Sequence, residues 1–148
     1  MQRTILIGTL TVGTLDLLDA VLFFGIRNGT PPVRIFQSIA AGWLGRASFT
    51  GGASSAALGV ATHYLVAFGI VLTYLLASRR VPVLVRHTVM CGALYGVGVY
   101  FFMNLVVIPL SAIGPQRFTT APFINGIAIH ILGVGIPSAF FATRAHGK

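Results

Sequence analysis

The sequence has very few charged residues and almost no acidic ones. Only two of its 148 residues are Asp or Glu, against ten Lys or Arg, and charged residues make up 8 % of the chain. Soluble proteins carry about 25 % charged residues. So few charges do not cover the surface of a folded water-soluble domain, which excludes an ordinary soluble enzyme, a disordered chain and a nucleic-acid-binding domain. The single cysteine, Cys91, excludes an intrachain disulfide.

Long apolar runs are present instead. Apolar residues make up 55 % of the chain, and mean hydropathy is +0.89. A helix needs about 20 apolar residues to cross a bilayer, and four continuous runs satisfy this length. They cover about residues 5–26, 53–77, 88–108 and 123–142. The sequence therefore predicts a single all-α membrane domain over residues 1–148, an integral four-helix bundle that has the lipid bilayer as its partner.

The connection between the first two spans is long enough to hold a helix of its own. Thr30 precedes Pro31 and Pro32, and proline is favoured at the first positions of a helix. Apolar residues then recur on one helical face as far as Trp43 and Leu44. This pattern predicts an interfacial amphipathic helix at about residues 31–44. The alternative is a re-entrant half-helix, since the segment is short and followed by glycines.

Basic residues in short loops predict the orientation of the chain. One side of the membrane receives six of them and the other side four. The six are Arg3, Arg79, Arg80, Arg86, Arg144 and Lys148, and the four are Arg27, Arg34, Arg46 and Arg117. Because the side with more basic residues faces the cytoplasm, both termini are predicted to be cytoplasmic.

A short pattern occurs twice, at the same place in two spans. Residues 59–63 read Gly-Val-Ala-Thr-His, and residues 126–130 read Gly-Ile-Ala-Ile-His. The second and fourth spans run in the same direction. The match is therefore either an internal repeat of a two-helix unit or a chance result of the biased composition.

Polar side chains inside the spans are the candidate functional residues, because each is costly to bury in lipid. Their depths, counted along each helix, place them in one slab of the membrane. This predicted polar layer consists of Asp16, Asp19, His63, Asn104 and His130. The two aspartates are three residues apart and share a helix face.

Three interpretations of this layer are open. In the first, the layer is structural: each histidine forms a hydrogen bond between helices, and Asp19 pairs with Arg34 or Arg27. The second is a proton or ion site, because two close carboxylates do not both ionise readily and imidazoles relay protons. The third is a bis-histidine haem b or chlorin, held by His63 and His130 at similar depths. No tight metal-ligand spacing is present, and no metal site is predicted.

The third span contains a motif for close contact between helices. Gly92 and Gly96 form a GxxxG motif, which predicts a close helix contact within the chain or with another copy.

No nucleophile–base motif, phosphate-binding loop or dinucleotide motif occurs in the sequence. The leading prediction is a non-enzymatic membrane protein without a cofactor, either an accessory or assembly subunit of a homo-oligomer or larger complex, or a minimal proton or ion transport module.

Several of these residues carry a resemblance to a known family. They are the segment from Gly59 to His63, Pro82, the stretch Gly92-Ala93-Leu94, the pair Pro109-Leu110, and His130. Together they resemble the pattern of YagU-type inner-membrane proteins. The resemblance covers roughly residues 55–144. It implies a small helical protein of the inner membrane and carries over no functional residue.

Overall fold

Helices account for nearly all of the chain in the computed structural model, which describes residues 1–146. The bounds of the helices are α1, Gln2–Asn28; α2, Pro32–Leu44; α3, Gly52–Arg80; α4, Val83–Arg86; α5, Thr88–Leu110; and α6, Thr120–His146. A 3₁₀ segment, Gly45–Thr50, joins α2 to α3. No strand occurs among the described residues. Lys148, which was counted in the orientation prediction, lies outside them.

Four of these helices, α1, α3, α5 and α6, are long and apolar enough to cross a membrane. They contain 27, 29, 23 and 27 residues, and each encloses one of the predicted spans. The all-α class and the four long apolar helices are therefore confirmed. The predicted connecting helix at 31–44 also exists, as α2, with its first residue at Pro32.

Polar contacts identify which ends of the long helices lie together. The Ser78 hydroxyl, near the end of α3, is 3.0 Å from Nε2 of His146 at the end of α6. Thr88, at the start of α5, is 3.1 Å from the hydroxyl of Thr143. The Arg79 guanidinium contacts the sulfur of Met1. The N-terminus, the α3–α5 connection and the end of α6 thus share one end of the molecule.

Glycines allow the backbones of α5 and α6 to come into close contact. A methyl group on Gly96 would overlap the backbone carbonyl of His130, and one on Gly92 would lie 2.8 Å from the Cα atom of Ile136. Gly135 approaches the backbone of Gly92 and Gly96 from the other side. The GxxxG face is therefore covered by α6 within the chain and is not free to receive a second copy.

Two π-helical turns interrupt the long helices, and each lies just before a proline. Met103–Val107 precedes Pro109 in α5, and His130–Gly135 precedes Pro137 in α6. A proline lacks the N–H that would bond four residues back, and its ring crowds that carbonyl. A wider turn relieves this crowding. The sequence pattern does not specify these turns, although the prolines mark where they occur.

Helix α2 packs along the side of α3. Gly59 allows the backbone of α3 to approach the carbonyl of Phe36. The Gln37 amide donates to the carbonyl of Gly52, at 3.2 Å, and Nε1 of Trp43 donates to the hydroxyl of Thr62, at 2.9 Å. These contacts fix α2 against α3 over most of its length and bury Gln37, while Arg34 and Ser38 stay exposed.

The glycine contact provides a test of the α5–α6 packing. We expect Gly96→Ala to lower the stability of the protein by about 1–3 kcal/mol, because the new methyl group forces two backbones apart. Gly98 is a matched control on the same helix, since nothing lies within 4 Å of the position its methyl group would take. Gly98→Ala should be neutral or stabilising by up to about 1 kcal/mol. Thermal unfolding in detergent measures both, and equal effects of the two changes would contradict the packing.

Candidate functional site

The two aspartates of α1 have different partners. The amide of Asn125, on α6, donates a hydrogen bond of 2.7 Å to Oδ2 of Asp19. No arginine of the described chain lies within ion-pair distance of Asp19, so the structure replaces the expected pairing with Arg34 or Arg27 by an amide. A neutral donor holds the carboxylate oxygen between α1 and α6.

Asp16 lies beside a histidine of α6. Its Oδ1 is 3.9 Å from Nδ1 of His130, which is an ion-pair distance when the imidazole is protonated. The side chains of Asp16 and His130 are 26 % and 17 % exposed, so the pair is only partly covered by the helices around it. Asp16 therefore has a titratable partner, whereas the partner of Asp19 does not titrate.

Three contacts hold His130 in place. Its Nδ1 donates to the carbonyl of Gly126, at 2.9 Å, because a carbonyl oxygen can only accept. The ring packs edge-on against Tyr100, with the ring centroids 5.3 Å apart, and the His130 carbonyl abuts Gly96. His130 is also the first residue of the π-helical turn. Its own helix α6 and the neighbouring helix α5 thus determine where the imidazole meets Asp16.

His63 approaches α1 one turn before Asp16. Its Nε2 lies 2.8 Å from the carbonyl of Gly13, and Nε2 therefore carries the proton. The hydroxyl of the adjacent Tyr64 is 2.9 Å from the hydroxyl of Thr14. Gly13 permits this approach, because a methyl group there would meet the Tyr64 ring at 2.7 Å. His63 and His130 therefore reach α1 from different helices.

A groove of about 710 Å³ opens between α1, α2 and α3. Asp16 and His63 lie at one end of it, and Asn28, Gly29 and Thr30 at the other. Twelve residues of α1 separate Asp16 from Asn28, which is about 18 Å at 1.5 Å per residue. The groove thus leads from the end of α1 to a carboxylate near the middle of that helix.

Arg34 lies on the α2 side of this groove. Its Nη1 donates to the carbonyl of Phe49, at 3.4 Å, and its guanidinium carbon is 5.2 Å from the centroid of the Phe49 ring. Within residues 1–146 no carboxylate lies within 4.0 Å of Arg34. The guanidinium is held in place at the groove without its positive charge being neutralised by an ion pair.

The structure groups most of the predicted polar layer around α1, but Asn104 has a separate partner. Its Nδ2 donates to the carbonyl of Tyr100 in its own helix, at 2.9 Å. Asn125 is absent from the predicted polar layer, although its amide in a predicted span is as anomalous as that of Asn104. The groove was also missed, because it depends on how α2 packs against α1 and α3.

Haem or chlorin ligation by His63 and His130 stays a prediction. One ring nitrogen of each histidine bonds a backbone carbonyl, so Nδ1 of His63 and Nε2 of His130 are the nitrogens left for a ligand. In the described part of the chain, no three His, Cys, Asp or Glu side chains cluster as metal ligands. The visible spectrum of the purified protein tests ligation: a Soret band lost in both His63→Ala and His130→Ala would establish it.

In comparisons with known proteins, no family model, no curated protein and no solved structure matched the chain. The resemblance to YagU-type proteins therefore stays a prediction from the sequence.

The Asp19–Asn125 contact is testable by a double-mutant cycle. We expect Asp19→Ala and Asn125→Ala to be non-additive, with a coupling energy of about 0.6–1.7 kcal/mol, the range of hydrogen bonds between membrane helices. Asn104 supplies the matched control, because its amide bonds within its own helix. Asp19→Ala and Asn104→Ala should be additive in thermal unfolding. Additivity of the first pair would show that the hydrogen bond does not stabilise the fold.

Proposed function

We propose that the protein is a minimal proton-linked transport module in which Asp16 and His130 carry the proton. The observation that supports this most strongly is the position of Asp16, which lines the groove and also lies 3.9 Å from His130. A carboxylate placed between an open groove and an imidazole can receive a proton from one and exchange it with the other. No second polar residue of α1 combines these two positions among the described contacts.

Asp16 and His130 each have a site for the proton. A proton entering the groove binds a carboxylate oxygen of Asp16. The Nδ1 atom of His130, which is 3.9 Å from Asp16, already carries the proton that it donates to Gly126. An additional proton therefore binds Nε2, and the imidazolium that results lies at ion-pair distance from an ionised Asp16. The charged and titratable groups around Asp16 are Asp19 on its own helix, His63 on α3, Arg34 on α2 and His130 on α6.

The membrane arrangement forms part of the same proposal. The four long helices form a bundle in the inner, cytoplasmic membrane, with both termini in the cytoplasm and α2 at the opposite rim. A buried cluster with one valine from each long helix supports the bundle: Val12, Val71, Val99 and Val134. The exposed face of α2, which includes Arg34 and the 64 % exposed Trp43, supports an interfacial position for this helix.

An accessory role within a homo-oligomer or larger complex remains the alternative. Large apolar side chains cover the outside of the long helices, and Ile26, Leu94 and Leu132 are among the most exposed. Lipid or a protein partner covers such a surface equally well. The GxxxG face no longer supports a second copy, because α6 occupies it.

Proton flux in liposomes tests the transport proposal. We expect the protein to dissipate an imposed pH gradient and Asp16→Asn to reduce the rate at least tenfold, because an amide does not bind the proton. Asp19→Asn is the matched control: it makes the same change one turn along α1, outside the groove lining. It should keep at least half of the parent rate.

Two results would contradict the proposal. The first is no flux above empty liposomes for the parent protein. The second is an equal loss of flux in the Asp16→Asn and Asp19→Asn variants, which would indicate a general effect of removing charge from α1. Thermal unfolding of each variant confirms that the compared proteins are folded.

A further inference from the structure

The two ends of the groove have different charges. Arg34 supplies a positive charge, with the polar side chains of Asn28 and Thr30 beside it. Asp16 and His63 lie toward the middle of α1. Neither Asp16 nor Asp19 reaches Arg34, and these are the only acidic side chains in the sequence. The exposed guanidinium of Arg34 is therefore available to an anion that enters the groove.

Apolar side chains line the groove between these ends. Leu17, Ala20 and Phe24 contribute the α1 wall, and Ile35 and Ile39 contribute the α2 wall. Such walls favour a hydrocarbon or aromatic body and give a strongly hydrated inorganic anion no compensating contacts. The walls and the arginine together select an anion attached to an apolar body.

We propose that the groove binds an organic monoanion with an apolar body, whose carboxylate lies on the Arg34 guanidinium. This names a substrate class for the proposed transport site, and the coupling to a proton rests on that proposed function. Arginine suits this role, because its planar guanidinium presents paired N–H donors to a carboxylate. The stacking of Arg34 on Phe49 orients these donors before the anion arrives.

The charges explain why a proton accompanies such a substrate. A negative charge moving toward the middle of the membrane is costly, and an ionised Asp16 would repel it. A proton on Asp16 removes this repulsion, so the anion and the proton enter the site together with no net charge. A cation would instead meet Arg34 at the groove and be repelled.

Binding is measured on the full chain in phosphatidylcholine nanodiscs, with octanoate as the probe. Octanol and octylammonium carry the same apolar body with no charge or the opposite charge, and acetate carries the charge without the body. We expect octanoate to raise the unfolding temperature with an affinity at least tenfold higher than the other three. Equal affinity for octanol and octanoate would overturn the proposal.

The arginine is tested by a pair of variants. Arg34→Gln should weaken octanoate binding at least tenfold, whereas Arg27→Gln should leave it unchanged. Arg27 is the control because it lies near the same end of α1 but does not line the groove. Equal loss in both variants would indicate attraction by general surface charge and would overturn the site. If Arg34→Gln does not fold, the ligand series on the parent protein still decides the outcome.

The failure of this inference is distinguishable from failure of the transport proposal. Octanoate binding that depends on Arg34, with no protein-dependent proton flux either with or without octanoate, would establish the anion site and remove transport. Proton flux that depends on Asp16, without selective octanoate binding, would support transport and overturn the anion site. Stabilisation through Arg34 by phosphatidylglycerol nanodiscs, with none by octanoate, would assign the groove to an anionic lipid and overturn the inference.

Discussion

The close contact of α5 and α6 through glycine is the constraint on which the rest of the structure depends. Lipid supplies little hydrophobic driving force between membrane helices, so their association depends on close packing and hydrogen bonds. Gly92, Gly96 and Gly135 bring the two backbones together, and Gly96 abuts the carbonyl of His130. The same contact that joins the helices therefore sets the position of the imidazole next to Asp16. A larger residue at Gly96 would displace both.

The proline in α6 adds a second control over that histidine. Pro137 provides no N–H, and the helix responds with a π-helical turn that begins at His130. The wider turn changes the direction of side chains relative to a regular α-helix. The carbonyl of Gly126, one turn earlier, accepts a hydrogen bond from the histidine Nδ1, and Tyr100 packs against the ring. An ionisable group in a span is thereby fixed by the backbone rather than by a neighbouring charge.

Much of this arrangement is predictable from residue patterns. Apolar runs predicted the four long helices, and Pro31 and Pro32 predicted the start of α2, because these signals are local. The partner of Asp19 and the groove were not predictable in the same way. Both depend on which face of one helix meets another, and helices that are apolar all round carry little information about their facing sides. The depth of Asn104 along its span predicts a place near the aspartates, but depth does not specify direction around the helix axis.

The different surroundings of the two aspartates separate structure from chemistry on a single helix. Asp19 accepts a hydrogen bond from an amide, and this contact ties α1 to α6. Asp16, one turn earlier, contacts a titratable ring and an open groove instead. The two groups share span, charge and helix face, so their difference comes from α2 and α3, which form the groove, and from His130, which faces Asp16. In the proposed mechanism, Asp16 binds the proton because its surroundings permit exchange, whereas Asp19 keeps α1 in register with α6.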